Sequence, residues 1–165
     1  MYKFQKKYAN AQAKGIQLIG DKVIRKALFD YYNPIAYLEE VHFPHFIADM
    51  VLISPKRRIL GGFEIKSDRD ELTRLAQQLR GYIKYINEVW VVTTYLHLGE
   101  ALNIINSSKF ENVGLLLYKM TGYENTFEVI KKAKSAEIKG VDKSWITSKN
   151  QLKQWDYLLD EIWGE

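Results

Sequence analysis

Two stretches decide the reading of this chain: Ile47-Ala48-Asp49-Met50-Val51 and Gly62-Phe63-Glu64-Ile65-Lys66. Both read as strands. Residues two apart in an extended strand point to the same face, so Glu64 and Lys66 project together while Phe63 and Ile65 pack on the other side. Asp49 sits inside an apolar frame. If its strand pairs beside the second stretch, two carboxylates and one ammonium converge at one spot. Two close carboxylates repel, which raises one pKa. A divalent cation resolves that repulsion, and Mg²⁺ prefers oxygen ligands while keeping several waters. A water on such an ion has a lowered pKa and can act as a nucleophile. Lys66 could orient that water, help deprotonate it, or stabilise a phosphorane-like transition state. Phosphodiester hydrolysis requires this set. The plainer reading stands beside it: a Glu-x-Lys on a strand is usually a solvated face with an ion pair. An Asp in an apolar strand is rarer, because an unpaired buried carboxylate is expensive. Spacing alone leaves both readings open.

Outward from this centre the pattern alternates. Ile16 to Tyr32 predicts a helix, with apolar residues near the 3.6 period, ended by Asn33-Pro34. Strands are predicted over Ile35 to Phe43, Phe46 to Ser54 and Ile59 to Ile65, with Gly61-Gly62 as a bulge. Pro55 to Arg58 forms a basic turn. Ser67-Asp68 reads as a cap for a helix from about Asp70 to Asn87. Strand Val89 to Thr94, helix Gly99 to Asn106, strand Val113 to Tyr118, an edge strand over Thr126 to Lys132 and an amphipathic helix over Trp145 to Trp163 follow. This is an α/β class with a central mixed β-sheet flanked by helices. Short links make the first three strands antiparallel, and helical crossovers make the later ones parallel where they are neighbours. The 165 residues show neither a linker nor a repeat, so a single domain over 1–165 is expected.

Composition narrows the chemistry. The chain has no cysteine, which excludes a disulfide scaffold, a thiolate nucleophile and a cysteine-ligated zinc site. Only His42, His45 and His97 are present, so a histidine-rich metal site is not expected. The residues MYKFQKKYANAQAKG are too polar and basic for a secretory leader, and no apolar run is long enough to span a membrane. Cytoplasmic residence is the expectation. Lys+Arg number 24 and Asp+Glu 20, a net charge of +4. That charge is uneven, since Lys131 to Lys153 holds seven lysines against Glu137 and Asp142.

Asp49 followed by Glu64-Ile65-Lys66 resembles the signature of the PD-(D/E)XK nuclease superfamily. Gln78-Leu79-Arg80-Gly81-Tyr82 resembles the Gln-x-x-x-Tyr helix of its recombination-exonuclease branch. The longer run from Phe63 to Leu75 is similar to small bacterial single-domain PD-(D/E)XK DNA-repair endonucleases. The likeness covers roughly Gly20 to Tyr118. It implies a restriction-endonuclease-like core and a Mg²⁺-dependent deoxyribonuclease, with Mn²⁺ as a substitute, in repair, recombination or restriction. Asp49 and Glu64 would ligate the metal, with the Ile65 backbone carbonyl as a third ligand. Lys66 would be the catalytic lysine, and Gln78 and Tyr82 would reach the metal site or the scissile phosphate. An acidic residue before the Asp strand is usual in the family, and Glu39 matches its position better than Glu40. Ala48 replaces the Pro of the founding motif, and the usual basic residue before the Asp is missing.

DNA is the expected partner. Lys56, Arg57, Arg58, Arg74, Lys131, Lys132 and Lys134 are candidates for phosphate contacts. A solvated lysine face is the plainer account of any one cluster. Trp145, Trp155 and Trp163 could stack on bases, but Trp155 and Trp163 with Leu152, Leu158, Leu159 and Ile162 are better read as docking the last helix on the core or a second subunit. A homodimer follows from a single small centre acting on two strands. A catalytically inactive DNA-binding or interaction module with vestigial carboxylates, and a nuclease directed at RNA, remain the alternatives.

Overall fold

A computed structural model of the chain describes residues 18–53, 59–121, 124–136 and 148–163. Helix α1 spans Asp21–Tyr32, strands β1 Ala36–Phe43, β2 Phe46–Ile53 and β3 Leu60–Lys66, helix α2 Leu75–Tyr85, strand β4 Glu88–Thr93, helix α3 Leu98–Ile105, strands β5 Gly114–Thr121 and β6 Glu124–Lys131, and helix α4 Lys149–Trp163. One six-stranded sheet runs in chain order from β1 to β6. β1, β2 and β3 pair antiparallel, β3–β4 and β4–β5 pair parallel, and β6 returns antiparallel as the edge. The α/β class and the mixed sheet are therefore as the spacing predicted.

Each face of the sheet carries its own core. On one, Ile24, Ala27 and Leu28 of α1, spaced three and four apart, cover Met50, Leu52, Phe63, Ile65, Trp90 and Val92. On the other, Leu75, Leu79, Tyr82 and Ile86 of the α2 segment pack with Val51, Val89, Val91 and Leu115, and Trp155 and Leu158 of α4 close the end. Every β4 residue is buried, as expected for a central parallel strand covered on both faces. Asn33 ends α1 in the left-handed region (φ 44°), donating its N–H to Phe29 O, just before Pro34.

Three local expectations are corrected. α2 starts at Leu75, not near Asp70. Asp70 Oδ2 instead accepts from Ser67 N (2.7 Å) and Ser67 Oγ (2.9 Å), closing a local turn that competes with helix. Asp68 caps no helix: it accepts from Ile19 N at 2.7 Å and Thr94 Oγ1 at 2.5 Å, tying the start of α1 to the end of β4. Nor is Gly61-Gly62 a bulge, because both residues keep the ladder register on either side. Gly62 sits in tight packing: a Cβ there would lie 2.6 Å from Ile86 Cδ1 and 3.2 Å from Tyr82 Cδ1, so both side chains would have to shift.

The β1–β2 hairpin carries a break that positions the site. Ala36, Leu38, Val41 and Phe43 share one core with Phe46, Ala48, Val51 and Ile53. In each strand the spacing of these core residues is two, three, two, so both strands reverse their facing at the same level. Glu40 sits there in the left-handed region (φ 53°). The register (Glu39 with Met50, Val41 with Ala48) places Glu40 opposite Asp49. A non-glycine residue in that conformation carries strain that its surroundings must hold in place. Here Arg25 supplies the hold.

Candidate active site

β2 and β3 pair from Ile53–Leu60 up to Met50–Phe63, and the next facing positions are Asp49 and Glu64. The ladder stops at this carboxylate pair. Asp49 Oδ2 instead accepts from Ile65 N at 2.8 Å. Glu64 is 2% exposed, and its Oε1 lies 3.0 Å from Lys66 Nζ. Tyr82 OH lies 2.6 Å from Glu64 Oε2, 3.1 Å from Phe63 O, and accepts from Asp49 N at 3.1 Å. One phenol on α2 thus holds β2 and β3 together at their point of divergence. Asp49, Glu64 and Lys66 come together, as the two opening stretches predict, the Ile65 backbone and Tyr82 join them, and the Phe63 and Ile65 side chains pack on the opposite face.

The electrostatics are those of a crowded acidic centre. Burial, then the Glu64 charge, pushes the Asp49 carboxyl up to about 8, against the pull of the Ile65 N–H and Arg25. Burial and both carboxylates push the Tyr82 phenol well above its usual value, so it stays protonated and able to donate.

Arg25 completes the centre. It lies on α1 and has no place among the candidates read from sequence. Its Nη1 donates to Asp49 O at 2.9 Å and its Nη2 lies 3.5 Å from Asp49 Oδ1. It also binds Asp21 Oδ2 at 2.6 Å and Glu40 Oε1 at 2.5 Å, and stands 3.8 Å from Glu39 Oε1. The only local trace in the sequence is the Asp21–Arg25 spacing of four on one helix.

Gln78 and Arg74 line a cleft of about 500 Å³ with Asp49, His42, His45 and Gln77. Gln78 Oε1 is itself buried, with no hydrogen-bond partner among the described residues. Gln78 touches neither carboxylate through any bond described, so it belongs to the cleft more than to the acidic centre. The Glu39 expected as a metal ligand has its half-exposed carboxylate turned towards Arg25, and so has Glu40.

The basic candidates fall apart into groups. Lys56, Arg57 and Arg58 lie outside the described residues, as do Lys139, Lys143 and Trp145. Lys131 pairs with Leu115 near the start of β5, whereas Glu64 and Lys66 pair with Val91 and Thr93 towards the end of β4. Lys131, Lys132 and Lys134 therefore sit at the opposite edge and opposite end of the sheet. Lys131 Nζ is committed to the carbonyls of Ile105 (3.1 Å) and Phe110 (3.0 Å). Trp155 is fully buried against Phe43, edge to face at 4.9 Å, and docks α4 instead of offering a stacking surface.

A divalent ion suits this donor set in one respect and is underserved in another. Mg²⁺ needs only one or two carboxylates and otherwise keeps water, and it would remove the repulsion that raises Asp49. Among the described residues, however, no group of three His, Asp or Glu side chains is placed to hold a metal ion. The protein ligands would be Asp49 and Glu64 with backbone oxygen and water completing the shell. Among the described residues no helix is long and apolar enough to cross a membrane.

No curated protein and no solved structure matches the chain. A family model described as bacteriophage P4 protein cII matches residues 40–160, a span that takes in Asp49, Glu64, Lys66, Gln78 and Tyr82 and begins after Arg25. The match covers well over half of the sequence, and the chain belongs to the bacteriophage P4 protein cII family.

Proposed function

We propose that this protein is a Mg²⁺-dependent nuclease of the PD-(D/E)XK kind that hydrolyses phosphodiester bonds in DNA. One observation carries the reading: Asp49 and Glu64 face each other where the β2–β3 ladder stops, with the buried Lys66 Nζ 3.0 Å from Glu64 Oε1. Asp49 and Glu64, with the Ile65 carbonyl, would hold the ion. The ion would supply a water of lowered pKa and a counter-charge for the phosphate oxygens. Tyr82 fixes Glu64 Oε2, leaving Oε1 turned to Lys66. Lys66 Nζ, 8% exposed and held by Glu64, is placed to bear against the negative charge that builds on phosphorus. DNA as partner, and pairing of two copies to cut two strands, are parts of the same proposal.

A catalytically inactive binding module is the second reading, and Arg25 is the observation that favours it. A fixed guanidinium beside Asp49 does part of what an ion would do. One experiment separates the two. The purified protein is incubated with Mg²⁺ or Mn²⁺ and plasmid, single-stranded, flapped and four-way DNA, with RNA alongside. Cleavage lost in Asp49→Ala and Lys66→Ala supports the nuclease. Absence of cleavage on every substrate, or cleavage indifferent to both substitutions, sinks it.

A further inference from the structure

A second cleft borders the acidic centre on its other side. It measures about 260 Å³ and is lined by Lys22, Arg25, Lys26, Phe29, Tyr37 and Glu39. Arg25 lines this cleft and contacts Asp49, while Asp49 lines the cleft of His42, His45 and Arg74. The two clefts are thus one side-chain contact apart, and the carboxylate lies where they approach.

Their linings differ in chemistry. In the α1 cleft, Phe29 and Tyr37 leave 38% and 39% of their surfaces exposed. Their rings stand 4.8 Å apart at 60°. Two neighbouring exposed aromatics lie beside exposed Lys22 and Lys26, the latter 3.2 Å from Asp30 Oδ2, and beside the Glu39 carboxylate, so the lining offers a π-face with both signs of charge. Among the residues lining the other cleft there is no exposed Phe, Tyr or Trp ring: Phe43 and Phe46 in its wall are buried and stacked on each other at 4.7 Å. It presents the exposed imidazoles of His42 and His45, the exposed Arg74 and the Gln77 amide. Gln78 also lines it. That lining suits phosphate, sugar hydroxyl and base edge.

We infer that the two clefts form one path for an unpaired nucleic-acid strand, with a base stacked on Tyr37 and Phe29 on one side of Asp49 and the strand's phosphates carried past Arg74 and the histidines on the other. A base can lie flat on an aromatic ring only when it has left the duplex stack, so the path selects single-stranded, flapped or looped substrate over continuous duplex. The inference rests on the nuclease reading for its location but not for its test.

Binding is measured with metal removed by EDTA, so that no cleavage intervenes. The probes are a fluorescent thymidine tract of about 12 nucleotides, its uridine counterpart, and a blunt duplex of the same length. The tract should bind the wild-type chain at least about tenfold more tightly than the duplex. The tighter of the DNA and RNA tracts identifies the nucleic acid. Tyr37→Leu, which keeps apolar bulk but removes the π-face, should weaken tract binding about fivefold or more and leave duplex binding unchanged, while Tyr37→Phe restores it. Duplex binding as tight as the tract, or Tyr37→Leu binding the tract like wild type, overturns the inference. A protein that shows this Tyr37 dependence but cleaves nothing keeps the path and loses the nuclease. One that cleaves duplex with Tyr37→Leu fully active keeps the nuclease and loses the path.

Discussion

The two ends of the parallel strands each hold a buried glutamate and a lysine, and they use them in opposite ways. At the amino end, Glu88 accepts from Trp90 Nε1 at 2.8 Å and Ser135 Oγ at 2.9 Å, and Lys131 donates to two carbonyls. The partners in these four bonds are neutral dipoles. At the carboxyl end, Glu64 faces Asp49 and touches Lys66, and Asp49 is shared between Arg25 and a backbone N–H. These are charges held by charges. The first kind is a finished structural staple. The second leaves free energy that a proton, an ion or an anionic ligand can change, which is the usual condition of a functional site.

The largest effect should come from stranding a charge at the carboxyl end. Lys66→Ala leaves Glu64, 2% exposed, without its ammonium. Breaking one side of a buried pair costs about 3–5 kcal/mol, so the melting temperature should fall on the order of 10 °C. The double variant Glu64→Gln with Lys66→Met should recover most of that loss, since no charge is left stranded. Thermal denaturation of the three proteins decides it. A Lys66→Ala protein that melts with the wild type would show that the pair does not carry this end.

Next in size is Asp49, and here the sign differs. Its pKa rises from an ordinary 3.8 to about 8 on folding. Between those values the folded chain holds a proton that the unfolded chain does not, so stability falls as the pH climbs from about 4 to about 8. Asp49→Asn removes that slope and should melt on the order of 5 °C higher than wild type at pH 8. Mg²⁺ at about 100 times its dissociation constant should stabilise the wild type by about 2.7 kcal/mol at that pH, and the Asn variant by far less. A wild-type melting temperature flat across this range, or an Asn variant that is less stable at its upper end, would break the contrast between the two ends.

The difference between the ends also governed what could be read from sequence. Glu64, Lys66 and Asp49 were legible because strand periodicity and one short-range pairing suffice to bring them together. The facing reversal is written in the spacing of Ala36, Leu38, Val41 and Phe43, mirrored by Phe46, Ala48, Val51 and Ile53, and it is where the ladder gives way to charges. Arg25 was not legible, because its contact with Asp49 crosses the chain from α1 to a kink that propensities do not report. The start of α2 is hidden from the sequence for a related reason. Asp68 and Asp70 look like helix-capping residues, but one goes to Ile19 and Thr94 and the other closes its own turn. The lysines were misleading in the same sense: sequence reports their charge, and only the fold shows that Lys131 spends it on carbonyls.

The smallest effect should lie at that amino end. Lys131→Met keeps the aliphatic stem but removes the donor from Ile105 O and Phe110 O, a loss of about 1–3 kcal/mol that thermal denaturation can read. Because its hydrogen-bond partners are carbonyls far from Asp49 and Glu64, the loss should be the same with and without Mg²⁺. Tract binding should be unchanged, since the lysine is at the wrong edge and end of the sheet to meet a strand passing Asp49. A Lys131→Met protein that melted like wild type yet bound nucleic acid several-fold more weakly would reverse this assignment. It would make Lys131 a phosphate contact, extend the substrate surface round the far edge, and leave no distinction between a stapled end and a reactive one.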